Sequence, residues 1–453
     1  MKIHLLYRGA VLAALAVSST LVFAQAGSLR AGAAKVELSI PASMFPITDK
    51  QKFADVHDPI YARALVLDNG HSKVALIVLE VTQLTFGAEL VQAASDELKI
   101  PAANIILCGT HNHNSPSLNG GGFGQAPTKL PFFDIVKKSM IEAARQANAN
   151  LQPARIGFGA GKAYVNTNRD QKIGDAYHMG YAPEGPSDKT VAVISVTKPT
   201  GEPIAIYANY PVHSVVMFLS KTKDGMTEVT SDLAGWTSNY VEAHFPGAVG
   251  LFTMGPAGDQ NPLFMSTYNQ DAPDVHDEGT AGWGILDVLS RRLGEEVVRV
   301  TRNIQNTQDK VVLWGGQATV TCPGRKFVPI GGQPAQPAQR GPNNAPMQAV
   351  DGDPVNINIG LLMINDIAIA GAAAELFNDV GQQIKRESIF DHIVIPTLLP
   401  DDVGYVPSDL AFTLPSQMAA RNRLKPGCAA PALAGAFNKL EKEYLPIYQA
   451  ATK

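Results

Sequence analysis

The stretch Gly109-Thr110-His111-Asn112-His113-Asn114 sets two imidazoles two residues apart, flanked by amides and a hydroxyl. A neutral imidazole ligates metals and also accepts protons near neutral pH, so the pair suits a metal ligand beside an acid/base partner. On a strand the two rings would point the same way; on a loop they could converge. Taken alone, the pattern fits a polar loop without metal just as well. Three more segments carry comparable residues. Asn209-Tyr210-Pro211-Val212-His213-Ser214 brings a third histidine. Gly255-Pro256-Ala257-Gly258-Asp259-Gln260-Asn261-Pro262 contains small residues that let backbone approach a ligand closely. Ala370-Gly371-Ala372-Ala373-Ala374-Glu375 ends on a carboxylate, which needs a counter-charge or a metal if buried. Each also has a plain reading: a loop histidine, a tight turn, a first-turn glutamate at the positive end of a helix.

What joins the four is that each follows an apolar run with strand character: 105–107, 204–207, 249–253 and 367–370. Strands deliver the residues after them to a sheet edge, where open α/β proteins keep their sites. The other elements form the frame. Runs 62–67 and 74–79, joined by Asp68-Asn69-Gly70, read as a hairpin, as do 191–196 and 204–209 around Thr200-Gly201. Helical spacing marks 90–98, 132–147, 233–245, 282–304 and 376–386, and strands are expected at 311–320, 356–364 and 393–397. Strands and helices alternate irregularly, with hairpins among them. That predicts a mixed-sheet α/β or α+β domain rather than a doubly wound one. No repeat or linker divides it, so 25–453 is expected to be a single large domain. The Pro-rich 331–346 is expected to be extended, as a surface loop or a flap over a site.

Composition bounds the partners. Of 453 residues 45% are apolar and 17% charged, enough apolar material for a large core and too much for intrinsic disorder. A net charge of −4 gives no electrostatic basis for nucleic-acid binding. Forty Gly and 31 Pro predict much loop, where sites usually sit. Residues 1–24 read as a secretory signal: Lys2 and Arg8 precede a short apolar stretch, 11–22, and Val22-Phe23-Ala24 offers a cleavage site. A membrane anchor is the competing reading. A secreted or periplasmic protein is therefore expected, with at most peripheral membrane contact. Its three cysteines, Cys108, Cys322 and Cys428, allow at most one internal bridge, for which Cys322 with Cys428 is the natural pair.

Weaker features complete the survey. Asp55-Val56-His57-Asp58 could ligate a second metal or be a solvated loop. His276 with Asp274, Asp277 and Glu278 reads as an exposed acidic loop, without EF-hand spacing. Trp236, Trp283 and Trp314 read as core or rim residues. Ser115 and Ser231 lack a Gly-x-Ser-x-Gly elbow, and no phosphate loop or dinucleotide fingerprint is present.

A family resemblance runs through these segments. IYARALVL (60–67), GTHNHNSPS (109–117), NTNRD (166–170), ANYPVHSVVM (208–217), SDLAGW (231–236), GDQNP (258–262), AELF (374–377) and GYVPS (404–408) occur in the order found in the neutral, non-lysosomal ceramidases. The sequence resembles the N-terminal catalytic domain of that zinc amidase family from about residue 30 to 415. The resemblance implies a Zn²⁺ ion held by His111, His213, Glu375 and Tyr405. It makes His113 the acid/base group beside the metal and Arg169 a substrate-holding residue, and it puts Asp259 and Asn261 in the catalytic set. The implied substrate is a lipid-like or small-molecule amide, cleaved at its C–N bond.

Departures accompany the match. Asn261 stands where the family carries Ser, which still leaves an amide to hydrogen-bond a substrate. The family's YEGAST-like stretch is replaced by RLKPGCAAP, its SGPGG by NSPSLNGGG, and its immunoglobulin-like C-terminal domain is not expected. Three readings stay open: a ceramidase-like amidase, a zinc hydrolase of another small amide or ester, and an inactive binding protein of the same fold.

Overall fold

The computed structural model describes residues 25–48, 51–121, 126–268, 275–329, 347–414 and 422–452. The expected leader 1–24, the loop 331–346 and Asp274 lie outside them. Three β-sheets share one apolar core. The first runs Ile105–Gly109, Lys73–Leu79, Tyr61–Asp68, Arg30–Glu37, Gln152–Pro153. The second runs Val249–Met254, Pro203–Tyr210, Thr190–Thr197, Arg155–Lys162. The third runs Leu313–Pro329, Met347–Ile364, Ile367–Ala372, His392–Val394. Each sheet combines antiparallel neighbours with one parallel pair, so the mixed α/β class expected from the sequence is the one observed.

Period-two alternation explains the layering, because successive strand residues face opposite sides. In Tyr61–Asp68, Leu65 and Leu67 enter the shared core with Leu76, Ile194, Leu251, Leu362 and Ile369. Ala64 and Val66 face outward onto the helices Gly87–Leu98 and Phe132–Ala149. The helix Phe132–Ala149 meets them with Val136, Met140 and Ala143, a 3.6-residue stripe. The helices Asp232–His244 and Gly282–Asn303 cover the second sheet through Leu233, Leu286, Leu289 and Leu293. Asn378–Glu387 and Ala429–Ala451 cover the third through Val380, Ile384, Leu433 and Phe437. Each such leucine, fully buried, contributes about 1.5–3 kcal/mol. Among the described residues no helix is long and apolar enough to cross a membrane.

Both expected hairpins form, with Leu67 opposite Val74 and Ile194 opposite Tyr207. Several elements exceed or escape the sequence reading. The strands expected at 311–320 and 356–364 belong to two long arms, Leu313–Pro329 and Met347–Ile364. Part of their ladder is polar, with Thr319 and Thr321 bonded to Asn358 and Asn356 across the strands at 2.9 and 2.7 Å. The polar Asn166–Ile173 and Ala176–Ala182 and the Gly-rich Arg155–Lys162 are also strands. The unexpected helix Ala429–Ala451 begins beside a Cys322–Cys428 disulfide that closes 106 residues of sequence. A loop of that size gives about 4–5 kcal/mol by restricting the unfolded chain. Cys108 is a buried free thiol.

Candidate active site

The parallel pairs determine where the loops go. Lys73–Leu79 and Ile105–Gly109 run side by side, as do Pro203–Tyr210 and Val249–Met254. The residues after their ends therefore emerge at common edges. Thr397 and Leu398 tie two of those ends to the segment after Ile367–Ala372. The Thr397 N–H donates to the Met254 carbonyl at 3.0 Å, the Gly109 N–H to the Leu398 carbonyl at 3.2 Å, and the Leu398 N–H to the Ala374 carbonyl at 3.3 Å. Glu375 then pairs in parallel register with Tyr405.

His111, His213 and Glu375 converge there, all buried. His111 adopts a left-handed backbone, φ 60°, uncommon for a residue with a side chain. Its neighbours hold it. The Asn112 amide donates to the Thr230 carbonyl at 2.7 Å, and the Thr82 hydroxyl to the Asn112 carbonyl at 2.7 Å. His111 Nδ1–H donates to the Thr82 carbonyl and His213 Nδ1–H to the Gln260 carbonyl, each at 2.9 Å. Both rings are thereby oriented, with Nε2 turned inward. Each Nε2 lies 3.3 Å from Oε2 of Glu375. That oxygen has no hydrogen-bond donor among the described residues. Two oriented imidazoles around an unsatisfied buried carboxylate oxygen fit a metal ion, and these three residues could hold one.

Burial pulls His111 down, but the Glu375 carboxylate beside it raises its pKa above the ordinary imidazole value. Burial pushes Glu375 up, but the flanking His111 and His213 hold it well below the usual carboxylate range, so it is ionised. His213 is driven down to about 4, chiefly by burial and then by Arg169, so it is neutral near pH 7. His113 also falls well below the ordinary imidazole range, through burial and then His111 and His213. Its Nε2 is 3.0 Å from His111 Nε2, and its ring packs edge-on to Phe218 at 4.9 Å.

The strand Asn166–Ile173 adds Arg169, through pairing with Gln260–Pro262. Arg169 is buried; Nη2 donates to the Gly258 carbonyl at 2.6 Å and Nη1 to Asn261 Oδ1 at 3.2 Å. Its Nε has no acceptor among the described residues. The guanidinium lies over the Tyr405 ring at 5.2 Å. The Tyr405 hydroxyl reaches both Arg169 and Glu375, and its pKa is pushed up to about 12, by burial first. Asn261 Nδ2 donates to the Met265 sulfur at 3.4 Å, a weak acceptor. Asp259 stands further back. Its Oδ1 accepts from the Asn378 N–H at 2.8 Å and its Oδ2 from the Asn168 amide at 3.0 Å, bracing the strand that carries Arg169.

Asp55, His57 and Asp58 form no metal-ligand cluster among the described residues. Asp58 accepts from the Ser231 N–H and hydroxyl at 2.9 and 2.6 Å, anchoring the start of the helix Asp232–His244. Asp55 pairs with Lys223, and His57 stacks on Trp283 with ring centroids 3.6 Å apart. His276 bonds Glu278 at 3.1 Å on the exposed loop expected for it. Sequence reasoning missed Asp402, a partly buried acid whose pKa rises to about 6 through burial and the nearby Glu375. Its position three residues before Tyr405 was the available signal. The orienting carbonyls of Thr82 and Gln260 carry no side-chain signal at all.

Fold and site define a mixed α/β protein with a buried His-His-Glu centre at converging strand ends. No family model matches the chain. Neutral ceramidase of Pseudomonas aeruginosa is 26% identical over 236 residues, 47% of this chain and 33% of that protein. Neutral ceramidase A of Dictyostelium discoideum is 26% identical over 223 residues, 44% and 29% respectively. The chain thus spans about a third of the length of the curated relatives it matches. Among solved structures, the P. aeruginosa neutral ceramidase superposes with TM-score 0.63 at 17% identity, covering 91% of this chain and 73% of that one. A ceramidase complexed with C2 gives 0.65 at 16%, covering 91% and 74%. The chain resembles the neutral ceramidases in sequence and shares their fold.

Proposed function

We propose that the protein is an exported zinc-dependent amidohydrolase that cleaves the N-acyl amide bond of a lipid-like substrate. The observation that carries this is Oε2 of Glu375, without a hydrogen-bond donor among the described residues and 3.3 Å from both inward Nε2 atoms. Two imidazoles, a carboxylate and the Tyr405 phenol make a nitrogen and oxygen donor set suited to zinc. When bound, the ion would supply Lewis-acid polarisation of a carbonyl and a water that ionises near neutral pH. The chain's own residues do the rest. His113, neutral near pH 7, accepts a proton and returns it to the leaving amine. Arg169 directs its unused Nε–H toward the substrate oxygen on which charge develops. Asn261, held through Oδ1 by Arg169, offers its amide N–H by exchanging the weak sulfur contact. Asp259 keeps Arg169 in register.

A second reading has an observation in its favour: Asn261 replaces the family's Ser, so the substrate is another amide or an ester. A catalytically inactive binding protein is the third, and the intact donor set counts against it. Zinc analysis coupled to hydrolysis of an acyl-amide and ester panel that includes ceramide separates the three. Zinc with ceramide turnover supports the first, zinc with turnover of other substrates the second. Folded protein without zinc or turnover leaves the third. Export is tested by fractionating cells and sequencing the mature N-terminus, which is expected to begin after Ala24 or Ala26.

A further inference from the structure

The SDLAGW stretch of the resemblance has no part in the chemistry above, yet its carboxylate is fully buried. Asp232 is 0% exposed and adopts φ 47°, a strained left-handed backbone at the first residue of the helix Asp232–His244. Its Oδ1 accepts from the Val216 N–H at 3.0 Å, the Leu233 N–H at 2.6 Å and the Ser214 hydroxyl at 3.4 Å. Its Oδ2 accepts from the Met217 N–H at 2.9 Å. The Ser214 hydroxyl in turn accepts from the Ala234 N–H at 3.1 Å. These partners all belong to the helix start or to 214–217, the segment directly after the candidate ligand His213.

The same helix start reaches the other histidine loop. The Thr230 N–H donates to the Asn114 carbonyl at 3.2 Å, and the Thr230 carbonyl accepts from the Asn112 amide at 2.7 Å. The His113 N–H donates to the Ser214 carbonyl at 3.3 Å, closing the circuit between the loops. Asn114 adds a bond from its amide to the Met217 carbonyl at 3.2 Å. So residues 230–234 span from the loop of His111 and His113 to the loop of His213. Only a carboxylate has enough acceptor sites to take two backbone N–H groups of 214–217 together with Leu233 and a hydroxyl.

We propose that Asp232 is a positioning residue of the metal centre: through 214–217 it sets the orientation of His213 and His113. The inference rests on the metal reading above. Groups that orient ligands are typically worth 10–100-fold in metal affinity or activity. Asp232→Asn preserves the shape but sets an amide N–H₂ against a backbone N–H.

The test loads metal-stripped protein with Co²⁺, recording the dissociation constant and the visible ligand-field spectrum beside the thermal midpoint. For Asp232→Asn, affinity is expected to fall about 10–100-fold and the spectrum to change. Ser214→Ala leaves the carboxylate with its backbone partners, so it gives a readable result even if Asp232→Asn does not accumulate. It is expected to weaken Co²⁺ binding several-fold with a smaller spectral change. Variants with lowered midpoints but wild-type affinity and spectrum overturn the assignment of Asp232 alone. Wild-type protein that takes up no Co²⁺ overturns the metal reading, and this inference with it.

Discussion

Arg169→Lys separates charge from geometry at the site. The guanidinium uses Nη2 on the Gly258 carbonyl and Nη1 on Asn261, lies over the Tyr405 ring at 5.2 Å and has no acceptor for Nε among the described residues. A lysine keeps the positive charge but concentrates its donors on one atom, so it cannot serve those directions together. If Nε donates to the developing oxyanion, the variant loses one preorganised donor, which costs about 10²–10³-fold in kcat. That corresponds to about 2.7–4 kcal/mol of barrier. The assay is steady-state hydrolysis of the best amide substrate, with metal content measured on the same preparation. Most of the loss is expected in kcat, with metal stoichiometry unchanged, because Arg169 contributes no ligand atom. A variant with wild-type kcat and only a raised KM would show uniform binding rather than transition-state donation and refute the assignment.

The histidines divide by role. His111→Ala or His213→Ala should lose metal and turnover together, whereas His113→Ala should retain metal and lose about 10²–10⁴-fold in kcat; turnover matching wild type would remove His113 from the chemistry. Burial pushes the Asp259 carboxyl from 3.8 up to about 7. The folded state therefore binds that proton more tightly, and the associated stability is complete below the unfolded pKa and lost as pH rises through about 7. Between pH 5.5 and 8 it amounts to about 2 kcal/mol, read from urea midpoints, and Asp259→Asn should flatten that difference. Asp232, raised by burial to about 6, acts in the same direction and should leave a smaller residual slope. Cys322→Ser should lower unfolding stability by about 4–5 kcal/mol, and no change in midpoint would mean the bridge is not formed in solution.

Local signals were legible and long-range ones were not. Asp68-Asn69-Gly70 announced its hairpin because a turn is specified by adjacent residues. The strand-end histidines and Glu375 could be picked out because small or polar residues follow buried apolar runs. The last helix was hidden by Pro431, Gly435 and Pro446, which read as breakers although Leu433, Phe437 and Tyr444 pack on the third sheet. The strand of Arg169 was hidden because its pairing with Gln260–Pro262 is made by backbone rather than by an apolar pattern. Asp55-Val56-His57-Asp58 could be read as ligands or as a solvated loop because adjacency in sequence says nothing about Ser231, 173 residues on, which Asp58 actually holds. The separation of Asp259 from the histidines and the role of Asp232 likewise depend on contacts between distant segments.

The most direct measurement is an anomalous difference map at the zinc absorption edge from crystals of the zinc-loaded wild-type protein. One peak is expected between Nε2 of His111, Nε2 of His213 and Oε2 of Glu375, with ligand distances near 2.0–2.2 Å and the Tyr405 hydroxyl at its side. Ordered His111, His213 and Glu375 side chains with no peak among them, or a peak held by other residues, would contradict the metal centre.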